Sequence, residues 1–369
     1  MEDEKWMRRA LHLAERGIGQ VNPNPLVGAV IVRDGRTLGE GWHERYGGPH
    51  AERNALRHCA GSPEGATLYV NLEPCCHTGR NPPCTDAILE SGIRRVVVGS
   101  LDPNPLVAGR GISLLRERGL EVVTGILKEE CGAINAPFFH YIRTGTPYVI
   151  LKYAMTLDGK IASRTGASRW ITGEAARERV HRDRGRYAAV MVGLGTVLAD
   201  DPLLTCRIEG GRNPLRIICD SSLSTPPDSR IVRTAREVPT LIATCVGEPA
   251  RLSPYRKAGC ETLTLPRGTD ERLSLPDLTA ALGKRGIDSI LLEGGAALHG
   301  AMLDAHLVQR IQCYLAPKLF GGAAAPSPVG GQGVESPAEA FRLLRRTITP
   351  LGEDLLIEGE VCGNVYGNC

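Results

Sequence analysis

Two short stretches hold the residue types that metal-assisted chemistry needs. The first is Gly48-Pro49-His50-Ala51-Glu52. The second, more than twenty residues on, is Glu73-Pro74-Cys75-Cys76-His77-Thr78-Gly79-Arg80-Asn81-Pro82-Pro83-Cys84. Together they supply an imidazole, well-placed thiolates and a carboxylate. Zn²⁺ prefers imidazole and thiolate, and three protein ligands leave its fourth position open to water. His50, Cys75 and Cys84 are read as the ligands. Glu52 is read as the group that carries protons from the activated water to an amino group that leaves. The chemistry expected is hydrolytic removal of an amine.

Zinc deaminases acting on nucleobases combine His-x-Glu with Pro-Cys-x-x-Cys, whereas here eight residues intervene between Cys75 and Cys84. Gly79, Pro82 and Pro83 make that stretch a loop that can return the second thiolate to the metal. Cys76 is the rival ligand. Adjacent residues on a helix point about 100° apart, which argues against Cys75 and Cys76 sharing one ion. Buried structural cysteines are the plain alternative, and the coincidence of the His-x-Glu, a Pro-Cys after a strand and a third ligand weighs against it.

The elements around these residues follow from periodicity. Trp6, Ala10, Leu13 and Ala14 recur at helical spacing. The Asn22–Gly28 turn leads into a strand over 29–33, Asp34-Gly35 signals a hairpin, and a second strand covers 38–42. A helix is expected over 50–59, strands over 66–72, 95–99 and 121–124, and helices over 87–91 and 112–118. Cys75 is expected near a helix start, where the dipole favours a thiolate. After a closing helix and linker, Arg143-Thr144-Gly145-Thr146-Pro147 interrupts the pattern. That places a boundary between a domain over 1–145 and another over 146–369. Strands over 148–154, 188–192, 215–219, 240–243, 289–292 and 310–315 make the second domain a further α/β layer. The Gly/Ala/Pro-rich stretch 321–333 is expected to be a mobile loop without function, and the tail from Cys362 to Cys369 a polar chain end.

With 369 residues and 42% hydrophobic content, the chain can bury two cores. A net charge of +3 provides no strongly basic field for nucleic acid. No apolar run reaches membrane-spanning length, and the acidic start lacks a secretory core. Several of the twelve cysteines sit in apolar runs, as Cys59, Cys219, Cys245 and Cys313 do, which fits reduced thiols in the cytoplasm.

Nearly the whole chain resembles the bifunctional deaminase–reductase family of riboflavin biosynthesis. The match runs through Pro23-Asn24-Pro25-x-Val27-Gly28, Gly41-Trp42-His43, both stretches above and Asp102-Pro103-Asn104-Pro105. It continues through Lys152-x-Ala154-Met155-x-Leu157-Asp158-Gly159-Lys160, Ser168-x-Trp170-Ile171-Thr172-Gly173, Gly193-x-Gly195-Thr196, Asp200-Asp201-Pro202-x-Leu204-Thr205-x-Arg207 and Glu293-Gly294-Gly295. One departure is Cys76, where Ser is expected more often. The resemblance implies a cytidine-deaminase-like α/β layered domain followed by a dihydrofolate-reductase-like α/β domain. The first would hydrolytically deaminate a phosphoribosylated diaminopyrimidinone with Zn²⁺. The second would use NADPH to reduce the ribosyl group of the resulting uracil to ribityl.

By the same resemblance, substrate contacts in the first site fall on Asn24, His43, His77, Arg80, Asp102 and Asn104. Arg80 would hold the 5′-phosphate, unless it is simply a solvated loop charge. NADPH contacts fall on Ala154, Trp170, Thr196, Asp200, Ser221 and the run Gly295, Ala296, Ala297, Leu298, His299, Gly300 and Ala301. Substrate contacts in the second site fall on Ser168, Arg184, Leu204, Arg207 and Glu293. Ser222 competes with Ser221, and Trp170 is equally readable as a core residue. Glu293-Gly294-Gly295 ends a buried strand and opens a helix whose N–H groups can cradle a phosphate, although a plain tight turn reads the same way. Reduction of the ribosyl group needs ring opening and proton transfer, for which Asp200 and Glu293 are the candidates, with Lys152 as a partner. A turn cap is the other reading of Asp200. A homo-oligomer is expected. The rival classes are a tRNA or nucleoside deaminase with an accessory domain, and a zinc module with a structural site that needs a fourth protein ligand.

Overall fold

The computed structural model describes residues 2–79, 81–105, 107–268 and 270–362. The chain divides into two compact units, Met1–Gly145 and Thr146–Cys369. No described helix is long and apolar enough to cross a membrane.

The first unit opens with α1 (Glu2–Glu15). Strands β1 (Gly28–Arg33) and β2 (Arg36–Trp42) follow, then α2 (Ala51–Arg57), β3 (Thr67–Leu72), α3 (Cys84–Glu90) and β4 (Arg95–Ser100). It ends with α4 (Arg110–Glu117), β5 (Glu121–Thr124), α5 (Lys128–Ile134) and α6 (Ala136–Thr144). Asp34 and Gly35 both have positive φ, 53° and 70°, as a two-residue hairpin turn between twisted strands requires. The five strands run in the order β2-β1-β3-β4-β5, antiparallel around β1 and parallel from β3 to β5. Alternate residues of a strand face opposite ways. Accordingly Ala29, Ile31, Leu68 and Val70 pack with Ile88 and Leu115, while Val30, Val32, Tyr69 and Val97 pack with Met7, Ala10 and Leu13 of α1. Helix α1 lies so close that a Cβ on Gly28 would meet the Ala10 carbonyl oxygen at 2.0 Å.

The second unit contains β6 (Tyr148–Thr156), α7 (Glu174–Arg186), β7 (Ala189–Gly193), α8 (Leu194–Asp200), β8 (Leu215–Cys219), α9 (Arg230–Arg233) and β9 (Thr240–Thr244). It continues with α10 (Pro249–Ala258), β10 (Glu261–Thr264), α11 (Leu275–Lys284), β11 (Ser289–Gly294), α12 (Ala296–Asp304), β12 (Arg310–Ala316), β13 (Leu343–Leu351) and β14 (Asp354–Val361). Its nine strands run β10-β9-β8-β7-β11-β6-β12-β14-β13, parallel as far as β12 and antiparallel beyond. Strands β7, β8 and β9 are buried on both faces, which is why they read as apolar runs, broken only by Arg216 in β8 and by the threonines at the ends of β9. Sequence periodicity missed β10, β13 and β14. Strand β13 is an edge strand whose residues are almost all exposed, so it carries no apolar alternation.

Of the eleven described cysteines ten are free thiols, among them Cys59, Cys219, Cys245 and Cys313 as expected, while Cys362, just past β14, is disulfide-bonded.

Candidate active sites

His50 precedes the first turn of α2 as its N-cap, and Glu52 lies within that turn. Cys84, not Cys75, is the cysteine at a helix start: it opens α3, and Cys75 lies in irregular chain after β3. The stretch between the two cysteines turns back on itself, because the backbone N–H groups of Cys84 and Thr85 both donate to the Cys75 carbonyl, at 3.0 and 3.2 Å. Two side chains tie it to the His50 half. Arg53 donates to the carbonyls of Pro82 and Pro83 at 3.3 and 2.7 Å, and Asn81 donates to the Gly48 carbonyl at 2.9 Å.

The result brings His50, Cys75 and Cys84 together, with ligand atoms all within 4.8 Å of one another. His50 Nδ1 is 3.4 Å from each sulfur. Zn–N and Zn–S bonds of about 2.0 and 2.3 Å at tetrahedral angles need about 3.5 Å between nitrogen and sulfur. Charge makes the same point. Hydrogen bonding from Cys84, and then from His50, draws the Cys75 thiol down to about 4 despite burial; the same contact, with burial, pushes the Cys84 thiol up. One thiolate thus suppresses its neighbour unless a cation compensates both. Cys76 is outside the cluster.

Glu52 is 3% exposed, its Oε2 has no hydrogen-bond partner, and burial followed by the Cys75 charge pushes its carboxyl up. An unpartnered buried carboxylate oxygen has room for a reacting water or amine. The cavity in front of it measures about 320 Å³ and is lined by Asn24, His43, His77, Asp102 and Asn104 among others. His43 Nδ1 faces the Pro49 carbonyl at 3.0 Å and so carries the proton. That leaves Nε2 to accept from Asn24 Nδ2 at 3.1 Å. Burial lowers its pKa and keeps this neutral form. Burial also raises the Asp102 carboxyl to about 6. His77 Nδ1 is buried without a partner. Arg80 lies outside the described residues.

Two residues, Glu73 in the cavity lining and Asn71 outside it, were not singled out from the sequence. Glu73 accepts from the backbone N–H groups of Asp102, Gly109, Gly111 and Ile112 at 2.9–3.3 Å and so fixes the Asp102–Asn104 loop. Asn71 accepts from Gly28 N and donates to Leu26 O, at 2.8 and 3.0 Å, and holds the Asn24 turn. An Asn inside an apolar strand, or a Glu at its end, is the signal that points to such a role, since buried polar groups must be satisfied.

The second unit carries a cavity of about 550 Å³ at the carboxyl ends of β6, β7 and β11, where open α/β sheets bind ligands. Ala154, Ser168, Trp170, Arg184, Thr196, Asp200, Leu204, Arg207, Glu293, Gly295, Ala296 and His299 line it. Trp170 is 61% exposed, which removes the core reading. Asp200 ends α8 and accepts from the Ser168 hydroxyl at 3.0 Å. Arg184 grips both oxygens of Glu293 at 2.6 and 2.7 Å. Against the upward push of burial, Arg184 and then Lys152 hold the Glu293 carboxyl at about 2. Glu293 is therefore an ionised, oriented carboxylate rather than a proton carrier.

Ala297, Leu298, Gly300, Ala301 and Ser221 do not line this cavity. Ser221 accepts from the Leu273 N–H at 2.9 Å. Gly300 serves packing, for a Cβ there would meet the Gly330 carbonyl oxygen at 2.1 Å.

The stretch 321–333 is stitched down rather than loose. Asp158 accepts from Phe320 N and Gly321 N, Lys160 donates to Ala325 O, Ile161 N to Pro326 O, His299 Nδ1 to Pro328 O, and Gly330 N to Ala296 O, all at 2.7–3.2 Å. Composition cannot reveal this, because every partner lies far away in sequence.

Comparison with known proteins places each unit in a family. Residues 1–100 match the cytidine and deoxycytidylate deaminase zinc-binding region, and residues 147–357 match the RibD C-terminal domain. The riboflavin biosynthesis protein RibD of Actinobacillus pleuropneumoniae is 51% identical over 97% of this chain and 95% of its own length. That of Escherichia coli is 41% identical over 97% of this chain and 99% of its own. The crystal structure of a diaminohydroxyphosphoribosylaminopyrimidine deaminase/5-amino-6-(5-phosphoribosylamino)uracil reductase from Thermotoga maritima superposes with a TM-score of 0.85 at 38% identity, covering 98% of this chain and 99% of that one. With a deaminase zinc region, a reductase domain and relatives matched from end to end, the chain belongs to the RibD family of riboflavin-biosynthesis proteins.

Proposed function

We propose a division of labour among the residues of this enzyme, which couples a zinc-dependent deaminase to an NADPH-dependent reductase in riboflavin biosynthesis. The observation that carries the deaminase assignment is the His50–Cys75–Cys84 cluster facing a buried, unpartnered Glu52 oxygen. When bound there, zinc supplies a Lewis acid that makes water nucleophilic near neutral pH. Glu52 takes the proton from the attacking water and returns it to the amine as it leaves. His43, neutral and fixed by Pro49 and Asn24, presents the wall against which the pyrimidine lies. With Asp102, Asn104 and His77 it supplies the polar edge contacts. Arg80 is assigned the substrate phosphate. The three-ligand set leaves a coordination position free, which a structural site does not need. The relatives matched over both units give the rival nucleoside or tRNA deaminase no support.

In the second unit NADPH, when bound, supplies hydride. Gly295 and Ala296 at the start of α12 offer free N–H groups to a phosphate. Ser221, Ala297, Leu298, Gly300 and Ala301 stay in the cofactor set by resemblance alone. Ser168, Leu204, Arg207 and the Arg184–Glu293 pair hold the substrate. Ionised Glu293 stabilises positive charge that develops as the ribosyl ring opens. Asp200 is the carboxylate left to handle the proton.

A cytoplasmic homo-oligomer completes the reading. Ten free thiols fit a reducing compartment, and exposed Leu344 and Ile348 on the edge strand β13 fit a subunit contact.

The test is a pair of variants in the full chain, assayed for both steps. Glu52→Gln should keep its zinc and its reductase activity on pre-deaminated substrate while deamination falls by about 10²–10⁴-fold. Asp200→Asn should slow loss of NADPH absorbance in stopped flow while deamination is unchanged. Substantial deamination by Glu52→Gln, or wild-type hydride transfer in Asp200→Asn, removes that residue's role.

A further inference from the structure

Trp170 is a wide apolar side chain that lines the reductase cavity while 61% exposed. Packing alone does not hold such a side chain, so its backbone must be fixed. The carbonyls of Trp170, Ile171 and Thr172 are each taken by a cation. Lys318 Nζ donates to Ile171 O at 2.6 Å and to Trp170 O at 3.1 Å, and Arg177 donates to Thr172 O at 2.8 Å. The Arg177 guanidinium also stacks on the indole, 4.7 Å from the ring centroid. Lys318 is itself anchored just past β12. Its N–H donates to Ala316 O, and its carbonyl accepts from Leu157 N, both at 2.8 Å.

From this geometry we propose that Lys318 is a positioning residue of the reductase site. It acts through Trp170, setting the plane and reach of the indole against which a flat, aromatic part of the dinucleotide lies. The proposal rests on Trp170 being a cofactor contact. An ammonium can serve two carbonyls at once because it carries three donors on one flexible stem. A neutral side chain of similar length leaves both carbonyls to water and frees the turn. Lys318 is exposed and belongs to no buried cluster, so its replacement spares the core.

The test uses the full-length zinc enzyme and NADPH itself. Isothermal titration calorimetry gives the affinity, a readout that survives the loss of Trp170, and steady-state assays give kcat and KM for the reductase step. Lys318→Met should raise both Kd and KM for NADPH about tenfold, the loss of roughly one charge-assisted hydrogen bond. The kcat at saturating NADPH should change less than about twofold, since only uniform binding is lost. Lys318→Arg should recover most of the affinity, and deamination should be unchanged in both. In a Trp170→Ala background the effect of Lys318→Met should disappear, as coupled residues require and independent ones do not. Trp170→Ala with wild-type affinity would overturn the cofactor reading of Trp170. If Trp170→Ala weakens binding but Lys318→Met does not, or if the two losses simply add, Lys318 has no positioning role and the Trp170 reading stands.

Discussion

The metal cluster turns on which cysteine accompanies Cys75. Cys76 is the nearer in sequence, but the atoms that converge are those of His50, Cys75 and Cys84. At neutral pH a serine hydroxyl is a far poorer zinc ligand than a thiolate. Cys84→Ser should therefore lose most of its zinc, and Cys76→Ser should keep it. Elemental analysis after desalting reads both, and metal loss confined to Cys76→Ser would reverse the ligand assignment. In the second unit, Glu293 has its pKa depressed from 4.5 to about 2. For a depressed acid the stabilising term is full above the unfolded value and is lost as pH falls through the folded one. The Glu293–Arg184 pair thus stabilises above about pH 4.5 and fades as pH falls toward 2. Glu293→Gln removes that dependence and leaves Arg184 a buried unpaired charge, at a cost of about 3–5 kcal/mol near neutral pH. Urea unfolding at pH 7 and pH 3, followed by hydrogen exchange of β11 peptides, should show the wild type and variant far apart at the first and closer at the second.

At the scale of elements, the local signals are strong wherever the chain must reverse or start. Asp34-Gly35, the helical spacing in α1 and the buried runs of β7 and β8 all announce themselves. Many residues of the family motifs likewise line the two cavities. What sequence cannot announce is an anchor made by residues distant along the chain. Arg53 holding Pro82 and Pro83 is one case, and Glu73 holding four N–H groups another. Arg216 is a third: fully buried, it donates to the carbonyls of Leu203, Ile231 and Val238 and to the hydroxyls of Thr234 and Thr240, joining the Leu203–Leu204 turn to α9. Cys75 also departs from expectation for such a reason, since the loop between the cysteines moves the helix start to Cys84. Arg53 offers the clearest test. Outer residues that orient metal ligands contribute about 10–100-fold to affinity, so Arg53→Ala should release zinc to a chelator at a free-metal level about 10–100-fold higher than wild type. An unchanged zinc affinity would mean that the loop keeps its path through Asn81 and the Cys75 carbonyl alone.

At the scale of the molecule, each unit has its own sheet, each face of which packs its own apolar cluster. The described residues that line the first cavity run from Asn24 to Ile142, and those that line the second from Lys152 to Tyr314. The division falls at Gly145, in a left-handed conformation with φ of 69° that caps α6, and Pro147 follows it before β6 begins. Helix end, glycine and proline are the features of a linker, where few contacts hold the chain. Separate expression of residues 1–145 and 146–369 should therefore yield two folded proteins. The first should bind one zinc and deaminate without NADPH. The second should bind NADPH and reduce pre-deaminated substrate without zinc. Cooperative melting of each fragment, with NADPH raising the midpoint of the second alone, is the measurement. A second fragment that aggregates, or binds no nucleotide although soluble, would show that the two units complete one another's cores despite the separate sheets.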